Sequence, residues 1–340
     1  MKKRSGENRL QRWLKSGATA LAICAGLSLT LGFALPEPVG DYMARKGPDS
    51  TQLRVQPGLL SVAEIVHPRD AGELDTAFEA ANYSLAEVRE GLATVPRLYV
   101  TALPKDLEEI QEIDARKDLF IRSVLPLVLI ANEELRSQRR QLVSILEEYE
   151  ENGEISILDH AWLDALAEHY GLEHGQYDVL LRRVDEIPPS LAVAQAIVES
   201  GWGTSRFALE GNALFGQRTL PGSADGMAAQ LDTDVRVKAF QDLMSSVRAY
   251  MYNLNTHQAY TDFRRLRAKE REENGQARGR ILAGTLTDYA ELEDYIGRLR
   301  SLIRVNNLAE FDRVYLSTGA LAERILPPVL TPIDYVPNEG

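Results

Sequence analysis

From Leu191 to Ser200 the sequence reads LAVAQAIVES, and its chemistry rests on two side chains. Leu191, Val193, Ala194, Ala196, Ile197 and Val198 leave a helix here almost no polar face, so it is expected to be buried on nearly all sides. Gln195 and Glu199 interrupt the apolar run, and being four apart they project from one face. Pro188 and Pro189 precede the helix, Ser190 is placed to N-cap it, and Gly201 and Gly203 stop it. Glu199 therefore falls in the last turn of a buried helix. Desolvation disfavours a charged carboxylate and raises its pKa, and the negative end of the helix dipole pushes the same way. A carboxylic acid still protonated near neutral pH can act as a general acid toward a leaving oxygen. Trp202 and Phe207 bracket this Glu and are suited to the floor of a sugar-binding cleft. Taken alone, a Glu at a helix end is as readily a cap or half of an ion pair.

The surroundings decide between these readings. The string AQAIVESGWGTSRFALEGNALFGQR resembles the signature of bacterial N-acetylglucosaminidase domains, as in flagellar muramidases and Bax-type proteins. Nearly every fixed position of that pattern is present, with Gly211 standing where the family carries the first of two Asn. SVRAYMYNLNTHQAYTDFR, from Ser246 to Arg264, also resembles the Bax-type proteins, and a looser similarity runs from about Asp118 to Tyr315. The resemblance implies a mainly α, lysozyme-like glucosaminidase domain with a small β-hairpin lobe, preceded by a helical region. It implies hydrolysis of the β-1,4 glycosidic bonds of peptidoglycan on the N-acetylglucosamine side, Glu199 as general acid, and no metal or organic cofactor. Gln195, Trp202, Asn212, Phe215 and Tyr289 are the expected substrate-binding residues.

A glycosidase usually needs two carboxyl groups, one to protonate the leaving oxygen and one to activate water or attack. Asp232 and Asp234 are candidates for the second, because they lie on the hairpin that forms a lobe across the cleft in related domains. Each is equally readable as a turn or surface aspartate. The alternative is that the substrate's own N-acetyl group supplies the nucleophile, held by a tyrosine. Tyr260 matches a tyrosine that related domains place in the active site, and Tyr289 is a second candidate; either could instead be a buried tyrosine with its hydroxyl satisfied. A lytic transglycosylase, which shares the fold and a single catalytic Glu, and a non-catalytic cell-wall-binding module are the rival functions.

Other chemistries find little support. The formal net charge of −12 makes the chain a poor candidate for nucleic acid or an anionic membrane surface. The five histidines show no HExxH spacing, and surface or core positions explain them better than metal ligation. Neither a glycine-rich phosphate loop nor a G-x-S-x-G elbow occurs.

The elements that must position Glu199 are mostly helical. Lys2, Lys3, Arg4, Arg9, Arg12 and Lys15 precede an uncharged, largely apolar run from Gly17 to Leu35, expected to be a signal peptide or an inner-membrane anchor with its basic flank inside. Cys24, the single cysteine, lies within that run, so stability is expected from packing and not from disulfides. Residues 36–58 read as a linker, 59–150 as a helical N-terminal region, 151–326 as the glucosaminidase domain, and 327–340 as a tail. Within these limits a short extended piece is expected around Val62 to Val66 and one helix from Ala71 to about Gly91. A second extended piece is expected from Arg97 to Ala102, then helix from Lys105 to Glu150 kinked or divided at Pro126. Helices at Leu158–Tyr170 and Tyr177–Val184 lead to the Glu199 helix. Alternation near Val235, Val237 and Ala239 predicts the hairpin, and helix returns from Asp242 to His257. Glu270 to Gly284 reads as an exposed loop, with further helices at Thr287–Leu302 and Leu308–Ala322.

Overall fold

The computed structural model describes residues 63–219, 226–228, 236–286 and 294–318. The chain enters on a short strand β1 (Glu64–Val66), passes through helices α1 (Ala71–Ala80) and α2 (Leu85–Arg89), and returns on β2 (Leu98–Val100). β1 and β2 pair in parallel, Glu64 opposite Leu98 and Val66 opposite Val100. One helix was expected between Ala71 and Gly91; two form. Asn82 takes a positive φ, and Ser84 then caps a new helix by accepting from the Glu87 N–H.

A 3-10 turn at Lys105–Glu109 leads into α3 (Ile113–Asn152), a single helix of 40 residues that Pro126 neither divides nor ends. An interior proline costs a helix about 3 kcal/mol. Here it sits within a run from Leu119 to Asn132 that is buried apart from Arg122, and the burial of that run offsets the cost. Gly153, at φ 75°, stops the helix. Helices α4 (Ile157–His169) and α5 (Tyr177–Arg183) pack on the distal part of α3, where Leu142, Ile145, Leu163, Leu166, Leu180 and Val184 form a small separate core.

The main core gathers around α6 (Pro189–Ser200), which packs against α3 and against elements from the far end of the chain. Residues on both sides of position 150, among them Phe120, Val124, Leu191, Val193, Tyr250 and Leu299, belong to this one core. After α6 come the short helix α7 (Arg206–Gly211) and a hairpin of β3 (Met227–Ala228) and β4 (Arg236–Val237), antiparallel with Met227 opposite Val237. Helix α8 (Leu243–Thr256) then crosses α3, carrying Leu243, Val247, Tyr250, Met251 and Leu254 on its buried face as its spacing predicts.

The stretch after α8 differs from the sequence expectation. Glu270 to Gly284, expected as an exposed loop with frayed helix ends, instead holds the last turn of α9 (Thr261–Asn274), stopped at Gly275, and α10 (Gly279–Leu282), with Leu282 and Ala283 completely buried. Polar residues misled the reading because they are paired: Glu270, only 6% exposed, holds Arg278 at 2.7 Å. Arg267 is wholly buried and donates to the carbonyls of Arg182, Asp185 and Glu186 and to Asn255. Burial pushes the Asp185 carboxyl up, but Arg267, Arg139 and Arg271 around it bring it below the usual range. This cluster fixes the turn that feeds α6.

Helix α11 (Tyr295–Val305) follows, then a 3-10 turn at Leu308–Arg313. The helix expected from Leu308 to Ala322 does not form within the described residues. Val314 to Ser317 is extended instead, pairing with Val95 through the Val95 N–H to the Tyr315 carbonyl and the Ser317 N–H to the Val95 carbonyl. Among the described residues no helix is long and apolar enough to cross a membrane; the run from Gly17 to Leu35 lies outside them.

Candidate active site

Helix α6 is anchored at both ends. It begins one residue before the predicted N-cap, with Pro189 in its first turn, a position where the missing N–H is no loss. Ser190 therefore lies inside the helix, and its backbone N–H and hydroxyl both donate to Asp312, each at 2.9 Å. The Gly279 N–H donates to the same carboxylate at 3.0 Å, and a Cβ on Gly279 would collide with the Ser190 hydroxyl. At the other end Gly201, Trp202 and Gly203 all take positive φ, 60°, 61° and 78°. Glycine adopts that backbone freely; tryptophan rarely does. Ser200 ties the turn by donating to the Ala196 carbonyl and accepting from the Gly203 N–H. There is no room for a side chain at Gly203, where a Cβ would stand 2.6 Å from Leu103 and 2.7 Å from Phe120.

This leaves Glu199 half-buried in the last helical turn. Burial raises its carboxyl above the ordinary range, and a hydrogen bond from Tyr295 pulls partly in the opposite direction. The Tyr295 hydroxyl donates to Glu199 Oε1 at 2.9 Å. On the other side lies Gly216, at φ 59°, where a Cβ would stand 3.2 Å from Glu199 Oε2. The raised acid, one oxygen held by a phenol and the other beside a glycine, is suited to giving up a proton.

Gln195 and Glu199 share a face, as their spacing predicts, and both reach Tyr295. Gln195 is nevertheless wholly buried, so it is no surface for a sugar: its Nε2 donates to the Tyr295 hydroxyl at 3.1 Å and its Oε1 accepts from Tyr250 at 2.7 Å. Phe215 is likewise buried, stacked on Tyr250 with ring centroids 3.9 Å apart and planes at 7°. Asn212 caps α7 at φ 53°, and its side-chain amide donates to the carbonyls of Phe240 and Gln241, which joins the helix to the end of the hairpin. Gly211 has its own reason: a Cβ there would stand 2.6 Å from the Met227 sulfur of β3.

Trp202 is half-buried, edge-on to Phe120 at 6.0 Å, with the Lys117 ammonium 5.6 Å from its ring. Phe207 is half-buried beneath the Arg206 guanidinium, 4.8 Å from its ring centre. Tyr260 is buried in a 3-10 turn beside His257, 5.8 Å between rings. The hydroxyl bonded to the Glu199 carboxyl is that of Tyr295, which the sequence reading left inside a longer helix. A buried Gln195 demands polar partners, but that demand does not say where in the chain they lie. Asp232, Asp234 and Tyr289 lie outside the described residues.

A carboxylic acid whose pKa burial raises, at the end of an enclosed helix, has the chemistry a glycoside hydrolase requires of a general acid. Residues 176–308 match the Glucosaminidase family, described as mannosyl-glycoprotein endo-beta-N-acetylglucosaminidase. Protein bax of Escherichia coli (strain K12) is 32% identical over 196 residues, covering 56% of this chain and 69% of that protein. Exo-glucosaminidase LytG of Bacillus subtilis (strain 168) is 26% identical over 204 residues, covering 58% of this chain and 66% of its own length. Among solved structures, the catalytic domain of the autolysin Auto from Listeria monocytogenes aligns over 49% of this chain and 97% of its own, at 17% identity and a TM-score of 0.29. The chain belongs to the family of Protein bax and carries a glucosaminidase domain over residues 176–308.

Proposed function

We propose that this protein cleaves the β-1,4 glycosidic bonds of peptidoglycan as an endo-β-N-acetylglucosaminidase, with Glu199 protonating the leaving oxygen. The observation that carries the role of Glu199 is its combination of half-burial, a pKa raised by that burial and a donor fixed on one oxygen. A general acid must hold its proton until the bond begins to break, and then release it to an oxygen that is becoming more basic. Burial supplies the first condition. The second partner is a carboxylate at Asp232 or Asp234 attacking or activating water, or else the substrate's N-acetyl group steadied by Tyr260 or Tyr289.

Peptidoglycan lies outside the inner membrane, so this reading requires export. The basic flank and the uncharged run from Gly17 to Leu35 supply a means, either as a removed signal or as an anchor that leaves the domain in the periplasm. The test is mass spectrometry of muropeptides released from purified walls by the wild type and by Glu199→Gln. Products ending in N-acetylglucosamine with one added water, absent in the variant, support the reading. Anhydro products would assign a lytic transglycosylase, and saturable binding without any cleavage would assign a wall-binding module. Release of single terminal sugars in place of internal fragments would make the enzyme an exo-acting one.

A further inference from the structure

Tyr250, Gln195, Tyr295 and Glu199 stand in single file, and the polarity of each link follows from the one before. The Tyr250 hydroxyl is wholly buried, its ring is clamped against Phe215, and its proton goes to Gln195 Oε1 at 2.7 Å. An amide whose oxygen is taken at one end presents N–H at the other. Gln195 Nε2 accordingly donates into the Tyr295 oxygen at 3.1 Å. A phenol has a single proton, and with its oxygen facing an N–H donor, Tyr295 directs that proton away from the amide, to Glu199 Oε1 at 2.9 Å.

We infer that Gln195, locked by Tyr250, is a positioning residue that settles which oxygen of Glu199 carries the acid proton: Oε1 accepts from Tyr295, and the transferable proton rides on Oε2, beside Gly216. The inference rests on Glu199 being the general acid. A carboxylic acid that accepts on one oxygen keeps its own proton on the other. Gly216 leaves Oε2 uncrowded, since any side chain there would press on it at 3.2 Å. Gln195 thus acts through two hydroxyls and touches no sugar. A Tyr250→Phe change keeps the ring and its stack but removes the donor that orients the amide. Gln195 is then free to turn its oxygen toward Tyr295, reversing that hydroxyl and withdrawing a donor from Glu199.

The experiment reads Glu199 directly, by carbon NMR titration of its carboxyl in the full chain, using Glu199→Gln to assign the signal. A donor to a carboxylate favours the ionised form, so losing it moves the titration to higher pH. Tyr295→Phe is expected to move it up, Tyr250→Phe in the same direction, and the Tyr250→Phe/Tyr295→Phe pair no further than Tyr295→Phe alone; Gln195→Met, which offers Tyr295 no amide oxygen to turn to, should move it less than Tyr250→Phe. The basic limb of the pH–rate profile for wall hydrolysis should move with them. A merely structural role for Tyr250 would lower the melting temperature without moving the titration. The inference is overturned if Tyr250→Phe titrates like the wild type, if Gln195→Met shifts the titration as far as Tyr250→Phe, or if the double variant shifts by the sum of the two singles. Failure of the underlying reading looks different: turnover would survive in Glu199→Gln whether or not the titration shifts appear.

Discussion

Asp312 and Ser190 are 122 positions apart, yet one carboxylate takes both the backbone N–H and the hydroxyl of Ser190 at 2.9 Å each. The pairing sits at the amino end of α6, where a negative charge also complements the helix dipole, and Glu199 sits at the opposite end. The last 3-10 turn of the described chain thereby fixes the helix that carries Glu199.

Replacing Asp312 by Ala removes three hydrogen bonds to a carboxylate and leaves buried donors unmet, a loss on the order of 3 kcal/mol. Asp312→Asn should fall between, because its oxygen still accepts but its amide N–H groups face donors. Equilibrium urea unfolding measures both. Wild-type stability in Asp312→Ala would show that the carboxylate does not hold the helix.

Two glycines with nearly the same backbone separate strain from packing. Gly153 has φ 75° and nothing within 4 Å of a built Cβ, whereas Gly203 has φ 78° and would meet Leu103 and Phe120. Gly153→Ala should cost only the left-handed penalty, about 1–2 kcal/mol. Gly203→Ala should cost that and a further 1–3 kcal/mol of overpacking, and should lower hydrolysis by moving the turn after Glu199. Equal losses of stability with unchanged turnover would mean that the segment before α6 does not brace the catalytic turn.

The acidity of Glu199 links function to stability. Its folded pKa is raised, chiefly by burial, so its favourable contribution is complete below the unfolded carboxylate value and is lost as pH rises through the folded one. Glu199→Gln has no such loss. The variant should therefore gain stability relative to the wild type as pH is raised from 4 toward 8, with the gap closing again at the acid end, on the order-of-magnitude carboxylate range. Urea midpoints at both pH values give the comparison. A gap that stays constant with pH would mean that Glu199 ionises in the folded protein as it does unfolded.

Much of this was legible in the residues themselves. The apolar run around Gln195 and Glu199 foretold a buried helix, and Gly201 and Gly203 mark an end that the structure keeps, both at positive φ. What escaped was whatever depends on distant partners. Pro126 does not break α3 because its neighbours are buried, and local propensity contains no term for that. Glu270 reads as part of an exposed loop because its pairing with Arg278 is not visible from the residue types along the chain. Tyr295 was hidden for the same reason. A helical position can be read from spacing, but a hydroxyl that meets a carboxyl 96 positions earlier cannot.

The identity of the second catalytic group is open to a paired test. If a hairpin aspartate serves, one of Asp232→Asn and Asp234→Asn should lower turnover by several orders of magnitude with melting temperature nearly unchanged, since removing a nucleophile or base deletes a step that the acid cannot perform alone. The other variant should behave like the parent. If the substrate's N-acetyl group serves, both variants should keep most of their rate, and walls chemically stripped of N-acetyl groups should resist the wild-type enzyme. Tyr260→Phe or Tyr289→Phe should then lower kcat more than it raises KM, because a group that steadies the attacking acetamide contributes chiefly in the transition state. Loss of activity on stripped walls together with loss in one Asn variant would point to a carboxylate that orients the acetamide. Full activity on stripped walls in both Asn variants would remove both routes and place the second group elsewhere.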